Sequence, residues 1–237
     1  DKEFKNYVIN DIDRNIVRMY ETFKVIQYSE YLDAIEFVRT EFGFYGPNSR
    51  NMPEERKSLY KSSYYLFRDW FNETMWNTNS VQEGIYLHIL ANSCLNYFLR
   101  FGPNGMNQSF GDRMYTINQS NFNSVKSILQ RTTILNTSYI DVVESYPNAL
   151  FFLDPPYLSQ ASSYTGFNED DLKQFIEVIK GKEYIYTDIK NEYNEHLNGE
   201  FIRDIVSTSP ANSGVSRDNH EYVFSTLKKY SPMDDLW

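Results

Sequence analysis

Cysteine is almost missing from this chain of 237 residues, and Cys94 is the only one. A disulfide framework inside the chain is therefore excluded, and the composition fits a reducing cytoplasm. No apolar run approaches the roughly 18 residues of a membrane-spanning helix, so no such helix is expected. No signal peptide is legible at Asp1, although the chain does not start with Met. His88 has no second histidine at metal-ligand spacing, so it reads as a packed or surface residue and no metal is expected. Positive charge is also short. Lys and Arg number 23 against 32 Asp and Glu, for a net charge of -9. That balance argues against nucleic acid unless the cations gather on one face. They do gather mid-chain, at Arg50, Arg56, Lys57, Lys61, Arg68, Arg100, Arg113, Lys126 and Arg131, while carboxylates cluster late. By themselves these charges read as solvated helix faces.

Apolar residues are plentiful. They make up 41% of the chain, aromatics alone 17%, with 20 Tyr and 17 Phe. The length suits one large domain, or one domain with a sizeable insertion, and the composition is enough to bury a full core, which argues against disorder. No internal repeat or low-complexity tract is present.

The stretch Ala149-Leu150-Phe151-Phe152-Leu153-Asp154-Pro155-Pro156-Tyr157 organises the rest. Five apolar residues in a row, bounded by turn formers, predict a strand buried on both faces, as in a parallel sheet. Two prolines cannot donate ladder hydrogen bonds, so the strand ends at Asp154. This puts Asp154 at the carboxyl edge of a sheet, where open α/β folds keep their ligands. Its carboxylate and the Pro155 carbonyl are acceptors, Pro156 stiffens the turn, and Tyr157 offers a flat stacking face. Two acceptors beside an aromatic plate suit the exocyclic amine of a flipped-out base. The bland alternative is a Pro-Pro turn with a surface Tyr. The stretch resembles motif IV, D/N-P-P-Y/F/W, of amino-group methyltransferases that use S-adenosylmethionine. Asp with Tyr is the form common in DNA adenine-N6 enzymes, although RNA and protein-amide methyltransferases carry close relatives of it.

Tyr7 to Asp13 reads as a short strand ending in carboxylates, followed by a helix from about Arg14 with Ile16, Tyr20 and Phe23 on one face. It resembles motif II of the Dam-type (α group) adenine methyltransferases, which implies that Asp11 accepts hydrogen bonds from the cofactor ribose. The alternative is that Asp11 and Asp13 cap the helix. The Phe-x-Gly-x-Gly loop that precedes motif II in that family does not occur: Phe42-Gly43-Phe44-Tyr45-Gly46 has the wrong spacing. Weak or no cofactor binding is expected on that ground.

Further helices are expected from Ser29, as N-cap, to Phe42, with Leu32, Ile35 and Val38 inward; from Pro53 to about Phe71, with Leu59, Leu66 and Phe67; and from near Ser80, capped by Asn79 or Ser80, carrying Val81, Ile85, His88 and Leu95 with Cys94 inside the helix. Tyr64 and Tyr65 read as packing. Pro103-Asn104-Gly105 marks a β-hairpin flanked by polar and aromatic residues, a suitable DNA probe. The segment resembles the Dam-type target-recognition region through Asn96, Arg100, Asn107, Phe110, Gly111 and Arg113, which implies DNA contacts by Asn96, Arg100, Asn107 and Arg113. Tyr97, Ser109 and Asp112 depart from that pattern, so it does not reveal the target sequence.

A short helix over Asn123 to Leu129 and a strand over Thr132 to Asn136 come next. Ser138 and Tyr139 stand where motif III, S-Y-x-D, places residues beside the cofactor adenine. After Tyr157, Ser159 to Gly166 is small and polar, apt for a mobile loop. A helix over Glu169 to Ile179, a strand over Glu183 to Asp188, and two closing strands over Phe201 to Val206 and Glu221 to Leu227 complete the pattern. Asn212 to Arg217 resembles the family's late polar loop, which implies a phosphate contact by Arg217.

The expected fold class is α/β: a Rossmann-like S-adenosylmethionine-dependent methyltransferase sheet, mainly parallel, with an inserted helical target-recognition domain. The expected domains are a catalytic part at 1–40 and 121–237, lacking its first unit, and an insertion at 41–120. The resemblance implies a site-specific DNA methyltransferase acting on adenine N6 of double-stranded DNA, cytoplasmic, with S-adenosylmethionine as cofactor; a restriction endonuclease is a candidate partner whose existence the sequence does not reveal. The alternatives are a catalytically inactive DNA-binding remnant of the fold, or an RNA or protein-amide N-methyltransferase.

Overall fold

A computed structural model describes residues 4, 6–44, 53–97, 99–111, 117–156, 167–189, 191–197, 205–207 and 219–227. The chain divides into two compact units, Asp1–Ser138 and Tyr139–Trp237.

In the first unit, strand β1 (Tyr7–Asn10) runs parallel to β4 (Thr132–Leu135), with Tyr7 opposite Thr132 and Asn10 opposite Leu135. Helix α1 (Arg14–Val25) starts where the Asp13 side chain accepts from the Asn15 amide at 2.8 Å. Its buried residues are Val17, Thr22 and Phe23, while the expected Tyr20 is exposed and Ile16 only half-buried. The face is turned because α1 is covered on two sides, by α4 (Val81–Ala91) and by α5 (Gln119–Gln130) with β4.

Helix α2 (Tyr28–Phe42) is capped at Gln27 and not at Ser29, since Glu30 accepts from the Gln27 amide at 2.7 Å and closes a capping box. Ile35 and Val38 are buried, but Leu32 faces water. Helix α3 (Glu54–Trp70) follows Pro53 and ends in one π turn, Phe71–Met75. Leu59 and Leu66 are exposed, and Phe67 carries the packing. Tyr64 is fully buried, as packing requires, and its hydroxyl donates to the Gln108 carbonyl at 3.0 Å.

Ser80 caps α4, accepting from the Glu83 amide at 3.1 Å. Cys94 lies beyond this helix, not within it. The backbone leaves the helix after Ala91 because segment 109–111 captures it: Leu95 donates to Ser109 at 2.8 Å and Gly111 to Ser93 at 2.9 Å. The hairpin pairs β2 (Phe101–Gly102) with β3 (Gly105–Met106) around Pro103-Asn104. Helix α5 begins ahead of the expected Asn123, because the Asn118 side chain accepts from the Asn121 amide at 2.9 Å. Helices α1 to α5 share one aromatic core that includes Phe44, Tyr31, Phe67, Phe71 and Leu90.

The second unit contains α6 (Tyr139–Ser145), β5 (Leu150–Leu153), α7 (Glu169–Ile179), β6 (Glu183–Ile189), β7 (Ile205–Ser207) and β8 (Asn219–Ser225). Its strands run in the order β5-β6-β8-β7; β5 and β6 are parallel, and β8 is antiparallel to both neighbours. Asn168 caps α7, and Leu172, Phe175, Ile176 and Ile179 are buried against Tyr184, Tyr186 and Phe224, the face its spacing predicts.

Strand β5 is not buried on both faces. Phe151 is 7% exposed but Phe152 is 73% exposed, and β5 stands at the edge of its sheet among the described residues. Alternate side chains of a strand point to opposite faces, and an apolar run does not tell which face is covered. The architecture is thus mixed α/β, helices with small sheets. No described helix is long and apolar enough to cross a membrane.

Candidate active site

Asp154 follows the last residue of β5 and is exposed. The parallel register sets Phe152 opposite Ile185 and Leu153 opposite Tyr186. Continued by one residue, it brings Asp154 beside Thr187. The Thr187 hydroxyl donates to Asp154 Oδ1 at 2.7 Å. Among the described residues the second carboxylate oxygen of Asp154 takes no hydrogen bond. Pro155 and Pro156 adjoin it, half-buried and exposed respectively. Tyr157 and the loop at 159–166 lie outside the described residues.

Behind Thr187, strand alternation sends Asp188 to the opposite, buried face. Asp188 Oδ2 accepts from the Tyr186 hydroxyl, from Asn194 Nδ2 at 3.0 Å and from Asn191 Nδ2 at 3.3 Å, and Oδ1 accepts from the Ile189 amide at 2.7 Å. Burial pushes this carboxyl above its ordinary range, and the four donors oppose the shift. The turn after β6 is thereby tied to the end of the strand. Nothing in the local sequence marks Thr187, because its partner lies on another strand.

In the first unit Asp11 is half-buried just past β1, with Oδ1 accepting from the Asp13 amide at 2.8 Å. Burial pushes its carboxyl up and the neighbouring Asp13 charge adds to this, while the Asp13 and Ile12 amides pull it down. Asp13 is the residue that caps α1, which leaves Asp11 to brace the turn. The Asp11 loop is stitched to the segment before Ser138. Asn10 Nδ2 donates to the Thr137 carbonyl at 3.0 Å and Asn10 Oδ1 accepts from the Thr137 amide at 3.1 Å. Asn136 Nδ2 donates to the carbonyls of Asp11 and Ile12 at 2.8 and 3.0 Å. Ser138 therefore follows directly on a segment anchored beside Asp11. Sequence reasoning missed Asn10 and Asn136; asparagine at both strand ends was the available signal. Tyr139 opens α6, and its hydroxyl donates to the Asp171 carbonyl at 3.4 Å.

At the hairpin, Arg100 and Asn107 come together. Arg100 Nε donates to Asn107 Oδ1 at 2.7 Å and its Nη2 to the Asn107 carbonyl at 3.1 Å. The π turn re-aims Asn72 so that it clamps β3, accepting from the Met106 amide at 2.9 Å and donating to the Met106 carbonyl at 2.8 Å. Gly105 has φ +101°, and an added Cβ there would meet Asn72 Oδ1 at 2.4 Å. The Asn96 backbone lies in a short 3-10 turn, and its side chain, like Arg113 and Arg217, falls outside what is described.

Residues 1–225 match the family model described as D12 class N6 adenine-specific DNA methyltransferase. The chain belongs to that family. The D12 class acts on adenine N6 in DNA, so the exposed carboxylate ahead of two prolines sits in a protein whose substrate carries an exocyclic amine. No curated protein matches the chain. Within this D12-class chain the described candidate residues fall into three groups: Asp154 with its prolines and Thr187, Asp11 with the segment before Ser138, and Arg100 with Asn107.

Proposed function

We propose that this chain methylates adenine N6 at specific sites in double-stranded DNA, using S-adenosylmethionine, with Asp154 as the acceptor for the target amine. The observation that carries the reading is the Asp154 carboxylate at the end of β5, with Oδ1 held by Thr187 and Oδ2 taking no hydrogen bond among the described residues. One amine N–H is received by Oδ2 and the other by the Pro155 carbonyl. Pro156 keeps these acceptors rigid, and Tyr157 stacks on the flipped base. With both donors held, the nitrogen lone pair is aimed in one direction. Oδ2 receives the proton that the amine gives up as it is alkylated, and no covalent bond to the protein forms.

When bound, the cofactor would supply an electrophilic methyl group on a positively charged sulfur, the sulfur–methyl bond breaking to leave a neutral thioether. Asp11 fits its ribose, because the carboxylate is half-buried, one oxygen is fixed by the Asp13 amide, and the other takes no hydrogen bond among the described residues. Ser138 and Tyr139 flank the adenine. In this reading residues 1–40 and 121–237 make up the catalytic part, of the Rossmann-like class. Residues 41–120 form the target-recognition part, with Asn96, Arg100, Asn107 and Arg113 on DNA and Arg217 on a phosphate.

Transfer of labelled methyl groups to DNA tests the reading. Asp154→Ala is expected to lower the rate by about a thousandfold or more while the melting curve stays put, since the side chain is exposed. An Asp154→Ala variant with undiminished rate would remove the mechanism. Calorimetry with S-adenosylmethionine separates this enzyme from a non-catalytic DNA-binding protein: the enzyme reading requires heat of binding despite the missing glycine loop, and DNA binding with no cofactor binding would favour the second.

A further inference from the structure

We infer that Thr187 is a positioning residue for the methyl transfer: its hydroxyl fixes one oxygen of Asp154 so that the other points at the target amine. The inference rests on the reading of Asp154 as amine acceptor and adds what holds it.

A carboxylate at an exposed strand end has free rotation about two side-chain bonds unless something restrains it. The prolines restrain the backbone of this turn but not the Asp154 side chain. Thr187 does so from the neighbouring strand. A hydroxyl has one hydrogen to give, and two acceptors lie near it: Asp154 Oδ1 at 2.7 Å and the Leu153 carbonyl at 3.4 Å. The shorter contact, to Asp154 Oδ1, is the stronger. Thr187 is itself restrained. Threonine is stiff at χ1 because it branches at Cβ, and the residue after it, Asp188, is 2% exposed and bonded to three side chains and one amide. The end of β6 therefore forms a fixed post, and Thr187 transmits that rigidity to the carboxylate. Of the two oxygens, Oδ1 is committed and Oδ2 is left for the substrate.

The test uses the full-length protein and three substitutions. Thr187→Val keeps the shape and removes the hydroxyl; Thr187→Ser keeps the hydroxyl and removes the methyl; Thr187→Ala removes both and gives the same decision if Val disturbs the strand. The expected result for Val and Ala is a kcat lower by about ten- to a hundredfold, the scale for a misplaced catalytic group, with the KM for DNA within about twofold. Ser is expected to restore kcat to near the parent value. Wild-type kcat in Thr187→Val overturns the proposal, and so does a Ser variant as impaired as Val, which would assign the effect to the methyl group. Crystals of Thr187→Val read the contact without reference to turnover: the Asp154 carboxylate should leave its position, and an unmoved carboxylate overturns the proposal. Asp154→Ala is assayed in parallel. If that variant is fully active, the reading of Asp154 fails; if it is dead and Thr187→Val is not impaired, only the role of Thr187 fails.

Discussion

His88 shows how a single side chain ties the fold to pH. Its ring packs 4.5 Å from Phe23 and 5.6 Å from Tyr31, and Asn92 Nδ2 lies 2.9 Å from Nε2. Burial lowers its pKa to about 4. The folded state therefore prefers neutral imidazole, whereas the unfolded chain takes up a proton near pH 6.5. The contribution is fully present above about pH 6.5 and is lost as pH falls toward 4. Melts at pH 7 and pH 5 should show a stability loss in the parent on the order of 1 kcal/mol larger than in His88→Gln, after partial exposure is allowed for. Equal losses in the two proteins would refute the assignment. Residue identity in the sequence marked His88 as packed or surface, and the pKa depends on which rings surround it. Likewise Asp154 was legible from its covalent neighbours, while Thr187, 33 positions away, was not.

Among the elements, α1 and α4 make the closest approach that a single position controls. A Cβ on Gly84 would lie 2.0 Å from Thr22 Oγ1 and 3.1 Å from the Arg18 carbonyl. The hydroxyl can rotate away, but Thr22 Cβ at 2.7 Å and the helical carbonyl cannot, so Gly84→Ala must spread the pair. A loss of about 1–3 kcal/mol is expected in denaturant unfolding, in the range of overpacked cores. No loss, or a gain from higher helix propensity, would show that the helices part freely. Periodicity located α7 and β6 well and the start of α4, because an amphipathic stripe or an alternation is a local property. It failed where a second neighbour redirects a face, as on α1. It failed also where a cap competes with a better one, as at Gln27 and Ser29, and where one face of a strand stays open, as at Phe152.

For the whole molecule, a DNA enzyme with net charge -9 needs its cations gathered and free. In the first unit Arg68 is paired with Asp69 at 2.7 Å and Lys57 with Glu54 at 3.6 Å. Arg56 and Lys61 on α3 are exposed, and among the described residues they make no ion pair. Affinity for duplex DNA, read by fluorescence anisotropy, should fall by more than about tenfold between roughly 50 and 200 mM salt, as phosphate contacts demand. A flat response would mean that phosphates contribute little. The sequence alone determined that β5 runs into a carboxylate followed by two prolines, the order of strands and helices, and the exclusion of a disulfide within the chain, because these depend on residues adjacent in the chain or on composition. Only the tertiary structure decided that β6 lies against β5 in the register that sets Thr187 on Asp154, that Asn10 and Asn136 bind the Asp11 loop to the segment before Ser138, and that Asn72 clamps the hairpin. Each of those contacts joins residues far apart in sequence, and a hydrogen bond depends on where backbones meet, which no local pattern of residues encodes.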